Sequence, residues 1–130
     1  MNEKYLEKLN QEQYNIVLNN NFIESKYAMC IIACAGSGKT TTIISKIIYM
    51  IQKLNCNPAE FFITTFTRNA ASELKTRLSE HLKESQIVQM TIGTFHSIAY
   101  KYMIKYNQNK KEIIEDNIER RPKISLLDIN

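Results

Sequence analysis

Apolar positions along the chain follow two rhythms. Residues 1 to about 20 form a polar lead of helix-forming types, after which Met29-Cys30-Ile31-Ile32-Ala33 makes a short continuous apolar run. Such a run predicts a buried strand. From Lys39 the period becomes 3.6 residues, and Ile43, Ile44, Ile47, Ile48, Ile51 and Leu54 fall on one helical stripe. Asn55-Cys56-Asn57-Pro58 then supplies a stop. Phe61-Phe62-Ile63-Thr64-Thr65-Phe66 is aromatic and β-branched, predicting a second strand. A helix follows with Ala71, Leu74, Leu78 and Leu82 on one face. Residues 87–92 predict a third strand, stopped by Gly93. A further helix begins near Thr94 or Phe95 and carries Ile98, Ala99, Tyr102 and Met103. Past Tyr106 the pattern weakens into a charged stretch, 107–121, with a candidate helix around Ile113, Ile114 and Ile118 closed by Pro122. Ile124, Leu126 and Leu127 have no clear partner, so the chain reads as unfinished. Strands alternating with helices predict parallel strands joined by right-handed crossovers, an α/β layered fold.

Between the first predicted strand and its helix lies Ala33-Cys34-Ala35-Gly36-Ser37-Gly38-Lys39-Thr40. This is the layout of a phosphate cradle for a nucleoside triphosphate. Gly36 and Gly38 allow positive φ, so backbone N–H groups can approach phosphate oxygens. Lys39 places an ammonium against the outer phosphates, and the Thr40 hydroxyl can ligate Mg²⁺ held between them. The helix start adds its positive end to the same anion. The general consensus has Gly where this chain has Ala33, so the flanking strand and amphipathic helix carry much of the assignment.

Composition narrows the class without naming a function. With 44% hydrophobic and 23% charged residues, the 130-residue chain suits one small domain or a piece of something larger. A net charge of +4 leans towards a polyanionic partner, although the basic residues are scattered. Three cysteines do not make a disulfide framework, and their spacing is not that of a zinc pair. Cys30 and Cys34, in or beside the first predicted strand, read as inert buried thiols of a reducing compartment. The polar N-terminus and the absence of a long apolar run predict an intracellular, soluble protein without a membrane partner.

Four stretches stand in order: Leu9-Asn10-Gln11-Glu12-Gln13, the glycine loop, Thr65-Phe66-Thr67-Arg68-Asn69-Ala70-Ala71, and Thr94-Phe95-His96-Ser97. Together they resemble the start of the UvrD/Rep/PcrA-like DNA helicases of superfamily 1A: the Q motif and motifs I, Ia and Ib. Ala at the Ala33 position is common in that family. The resemblance implies an α/β fold: an incomplete P-loop NTPase (RecA-like) parallel sheet with flanking helices and a C-terminal helical segment. Residues 1–106 would be a partial ATP-binding domain, and 107–130 the start of a helical insert or a poorly ordered tail. Implied cofactors are ATP and Mg²⁺. Nucleotide would be bound by Gln13, Ala35, Gly36, Ser37, Gly38, Lys39, Thr40 and Thr41, with Lys39 catalytic, Thr40 on the metal and Gln13 reading adenine. A carboxamide suits that task because it donates and accepts at once.

The implied contacts to single-stranded DNA fall on Thr65, Phe66, Arg68, Asn69, Thr94, His96 and Ser97. An exposed phenyl at a strand end can stack on a base, worth ~1–3 kcal/mol per base. Strand alternation also puts Phe62, Thr64 and Phe66 on one face, so a core role for Phe66, like that expected of Phe62, stays open. Thr94 can equally cap its helix, and His96 has no apparent partner for base catalysis. The family pattern Thr-Phe-Thr-Asn-Lys-Ala-Ala becomes Thr-Phe-Thr-Arg-Asn-Ala-Ala here. The charge moves one position, about 100° around a helix.

Hydrolysis in this fold also needs a carboxylate pair beyond an apolar strand. The family supplies an Asp-Glu pair and arginines of a second motor domain, none of them evident in these 130 residues. The nearest imitation, Ile124-Ser125-Leu126-Leu127-Asp128, has Ile129 in place of the glutamate. The expectation is therefore an N-terminal portion of a helicase, from a truncated product or a split gene whose remainder would be a partner, at work in cytoplasm or nucleus or at a site of viral or bacterial DNA metabolism. A stand-alone, non-hydrolysing nucleotide- or DNA-binding module is the alternative. A small P-loop kinase fits less well, since no phosphate-acceptor site or arginine-bearing lid is recognisable.

Overall fold

The computed structural model describes residues 4–21, 28–34 and 36–114, with side chains through 107. Two short helices open it, α1 (Lys4–Glu7) and α2 (Gln11–Leu18). A reciprocal capping box starts α2: Asn10 Oδ1 accepts from the Gln13 N–H at 2.9 Å, and Gln13 Oε1 accepts from the Asn10 N–H at 3.0 Å. The polar lead is not detached, because Tyr5 and Val17 are buried.

Helix α3 (Lys39–Gln52) is the hub, with α1, α2 and the later helix α4 (Arg68–Ser79) packed against it. Ile44, Ile47, Ile48 and Ile51 are buried as the stripe predicts. Thr42, Ser45 and Lys46 are buried as well, because α3 is covered on more than one side. Ser45 Oγ donates to the Tyr5 carbonyl at 3.1 Å, satisfying a hydroxyl that burial would otherwise penalise. Ile43 departs from the stripe and is exposed, although its neighbours Thr42 and Ile44 are both buried. Asn55 takes a left-handed φ of 53° just past the helix, and the Cys56 N–H returns to the Met50 carbonyl at 3.0 Å.

Strand β1 (Phe62–Thr65) and strand β2 (Thr91–Thr94) pair in parallel, with Phe62 opposite Thr91 and Thr65 opposite Thr94. Between them run α4 and α5 (Glu84–Gln89). Thr67 caps α4, its Oγ1 accepting from the Ala70 N–H at 3.1 Å. Ala71, Leu74 and Leu78 face inward, joined by Leu82 just beyond the helix. Leu74, Leu78 and Leu82 form one core with Tyr5, Ile48, Met90 and Ile92. Helix α6 (Phe95–Ile114) follows β2 and runs unbroken past Tyr106. The chain divides into two compact units, one through Phe95 and one from His96 onward. Ile98 of α6 is buried, whereas Tyr102 and Met103 are exposed.

Three sequence expectations are corrected. Residues 29–33 form no strand, and Ile32 is 92% exposed. Cys30 and Cys34 are exposed too, so they are not buried thiols. β1 and β2 pair with each other, leaving the apolar run without a ladder to hold it as strand or cover its side chains. The third strand is also displaced: Ile87, Val88 and Gln89 belong to α5, and the strand runs Thr91–Thr94 through Gly93. A local hydrogen bond favours the helix there, Gln86 Oε1 accepting from the Lys83 N–H at 3.0 Å, while Ile87 packs on the core. The expectations for Ala35, the Ile113 and Ile114 side chains, Ile118, Pro122 and residues 123–130 lie outside the described residues. Among the described residues no helix is long and apolar enough to cross a membrane.

Ile48 is fully buried at the centre of α3. Ile48→Ala should lower the unfolding free energy by about 2–5 kcal/mol, against less than about 1 kcal/mol for Ile43→Ala. Urea titration of the two variants checks the difference.

Candidate functional site

The glycine loop turns where its residue types require. Gly36 and Gly38 have φ of 77° and 81°, the left-handed region that an L side chain resists. The Ser37 N–H and Oγ both donate to the Cys34 carbonyl, at 3.3 and 2.7 Å, closing the turn. Gly38 then opens α3, so Lys39, Thr40 and Thr41 form its first turn. That turn has no acidic residue, and its N–H groups have no carbonyl partner within the helix. Positive helix-end potential and free donors thus meet at the loop. Lys39 Nζ lies against the loop itself, donating to the Ala33 carbonyl at 2.9 Å and the Cys34 carbonyl at 2.6 Å. These are neutral acceptors, which a charged phosphate oxygen would outcompete.

Gln13 reaches the same place from the other side of the sequence. Its Nε2 donates to the Ser37 carbonyl at 2.9 Å, while Oε1 takes the Asn10 N–H. A Cβ built on Gly38 would stand 2.5 Å from Gln13 Nε2, whereas one on Gly36 would meet nothing within 4 Å. Thus Gly38 is favoured for its φ, and its lack of a side chain also leaves the Gln13 amide its place over the loop.

A second group of residues lies at the C-terminal ends of the parallel strands. Thr65 and Thr94 are opposite each other in the ladder. Thr65 Oγ1 donates to the Thr67 carbonyl at 2.9 Å, turning the chain into α4. Phe66 is fully exposed there, and Arg68 and Asn69 open α4 as exposed residues. Phe62 is 55% exposed, so it is not the core phenylalanine that the alternation left open, and Phe66 is not one either. His96 and Ser97 stand in the first turn of α6, within the second unit. Ala35 is outside the described residues.

Sequence reasoning missed Lys46. It is only 7% exposed, and its Nζ donates to the Val17 carbonyl at 2.7 Å, the Asn19 carbonyl at 2.6 Å and Asn20 Oδ1 at 3.0 Å. Burial pushes its pKa below the ordinary 10.5, against an opposing pull from Cys56. The available signal was a lysine set among four isoleucines of a stripe that is buried.

A glycine turn opening a helix through Lys-Thr, in an α/β chain with parallel strands, defines a protein of the P-loop NTPase class. Residues 9–129 match the family model of the UvrD/REP helicase N-terminal domain, and the chain belongs to that family. It is 40% identical over 105 residues to the ATP-dependent DNA helicase srs2 of Schizosaccharomyces pombe, covering 81% of this chain and 11% of that protein. It is 44% identical over 96 residues to the ATP-dependent DNA helicase Rep of Buchnera aphidicola subsp. Schizaphis graminum, covering 68% and 15%. A probable DNA helicase of Mycoplasma pneumoniae is 32% identical over 112 residues, covering 86% and 20%. The chain therefore spans no more than a fifth of the length of these curated relatives.

Gly36→Ala and Gly38→Ala should each cost the ~1–2 kcal/mol of a left-handed L residue. Only Gly38→Ala should also shift the side-chain amide resonances of Gln13, read in ¹⁵N-labelled protein.

Proposed function

We propose that the chain is the N-terminal ATP-binding portion of a UvrD-like ATP-dependent DNA helicase, built on a partial RecA-like domain, and that it binds ATP-Mg and single-stranded DNA. The observation that supports this reading is the 2.9 Å hydrogen bond from Gln13 to the loop at Ser37, which puts a carboxamide able to donate and accept beside the glycine loop. Phosphates would lie over the N–H groups of residues 35–41, with Lys39 released from its two carbonyls onto the outer phosphates. That ammonium is the group expected to stabilise charge developing during transfer. The Thr40 hydroxyl, exposed in the first turn of α3, would hold Mg²⁺. The ion's contribution is to neutralise charge between the outer phosphates.

On the DNA side, Phe66 would stack on a base, with Thr65, Arg68, Asn69, Thr94, His96 and Ser97 directed to the strand's backbone. The partners that go with this reading are single-stranded DNA and the remainder of the motor, inside the cell. These 130 residues should bind ATP weakly and turn it over negligibly, since they hold no Asp-Glu pair after an apolar strand.

Lys39→Ala should weaken ATP binding by about tenfold or more, a loss of about 1.4 kcal/mol, by calorimetric titration. Clear steady-state turnover with single-stranded DNA, abolished by Lys39→Ala, would overturn the reading as a portion lacking its hydrolytic half. Phe66→Ala should weaken binding of a labelled single strand by about fivefold or more, given the stacking contribution, at unchanged ATP affinity. Equal affinity for the strand would remove Phe66 from the DNA site.

A further inference from the structure

We propose that Lys46 is a positioning residue for nucleobase recognition: by holding the C-terminal end of α2 against α3, it keeps Gln13 at the phosphate loop. The inference rests on the reading of Gln13 as the base reader.

The last carbonyls of a helix have no partner within it and carry its negative end. At the end of α2, Lys46 meets this need with three donors on three acceptors, the Val17 and Asn19 carbonyls and the Asn20 side chain. Its Nζ also lies 5.6 Å from the centroid of the Tyr49 ring. Buried in this way, the ammonium cannot exchange these partners for water, so the contact fixes a position. The other end of α2 is attached through Gln13 to the Ser37 carbonyl.

Both attachments therefore run from one eight-residue helix to a single loop-and-helix segment, residues 37–46. Gln13 stands four residues, about one turn or 6 Å, from Val17. A displacement of α2 by about 1 Å would take the Gln13–Ser37 pair out of hydrogen-bonding range. Since α2 is too short to hold itself rigid in water, its register on α3 depends on these two ends and on Val17 in the core.

The test titrates the full 130-residue chain with ATP and with inorganic tripolyphosphate, which has no base to read, alongside the ¹⁵N side-chain amide resonances of Gln13. Lys46→Met keeps the length and removes the donors. It should cut the preference for ATP over tripolyphosphate by about tenfold, the scale of two lost amide hydrogen bonds, and shift the Gln13 amide signals. Tripolyphosphate affinity should stay within about twofold, and Lys46→Arg should restore most of the preference. If Lys46→Met does not fold, Asn20→Ala, which removes one acceptor outside the core, should move both readouts the same way by less. A folded Lys46→Met, or failing that Asn20→Ala, with the wild-type preference and unshifted Gln13 signals overturns the proposal. If the wild-type chain binds both ligands equally, the base-reading role of Gln13 is what fails. The Gln13 signals then decide: a shift in the variant supports positioning by Lys46, and no shift overturns it.

Discussion

Helix α3 has to be buried along most of its length while its first turn stays partly exposed at the glycine loop, and the elements packed against it are arranged around that requirement. Ile47, Ile48 and Ile51 face the core shared with Leu74, Leu78 and Ile92. Ser45 and Lys46, on faces where a surface helix would meet water, are instead covered by α1 and α2. Polar groups tolerate this only when hydrogen-bonded. The Tyr5 carbonyl takes the Ser45 hydroxyl, and the end of α2 takes the Lys46 ammonium. The same bonds that make burial affordable dock the two N-terminal helices. One of them brings Gln13 to the loop, so core packing and site assembly are parts of one event.

The loop is closed by its own atoms. Lys39 is held by the Ala33 and Cys34 carbonyls, and the Gln13 amide by the Ser37 carbonyl. Under the proposed function, the groups that would meet phosphate and base are engaged with backbone oxygens of the loop they serve. Ligand binding would then exchange partners more than it orders free side chains. The net gain is the difference between a charge-assisted bond to phosphate and a bond to a neutral carbonyl, not the whole strength of either. The exchange also spares the cost of freezing a mobile lysine, since much of its rotamer freedom is already restricted.

What was legible in the sequence follows the strength of the local code. Ile44, Ile47, Ile48 and Ile51 repeat at the helical period and are buried; Ala71, Leu74 and Leu78 do the same in α4. The two glycines of the loop announced positive φ because few other residues take it. Residues 29–33 failed because a continuous apolar run expresses a demand for cover but supplies no partner strand. A strand is defined by its neighbour, which periodicity cannot see. Residues 87–89 failed in the opposite sense, their β-branched character losing to a helical turn fixed by Gln86 and by the packing of Ile87. Lys46 was invisible because charge predicts exposure, and only the carbonyls at the end of α2 reverse that rule. Those carbonyls lie far away in sequence.

The exposed phenylalanines of β1 separate two meanings of an uncovered apolar side chain. Phe62 and Phe66 lie on the same face by strand alternation, opposite Ile63, which packs on the core. Phe62 is within the ladder, paired in register with Thr91, so its exposure belongs to a sheet face that any neighbouring element could cover. Phe66 lies beyond the last paired residue, Thr65, where the chain leaves the sheet for α4. Covering the sheet face would bury Phe62 and still leave Phe66 at the C-terminal edge. That edge is where parallel α/β sheets bind their ligands. It is this position past the ladder, more than exposure itself, that supports a stacking role for Phe66 and none for Phe62.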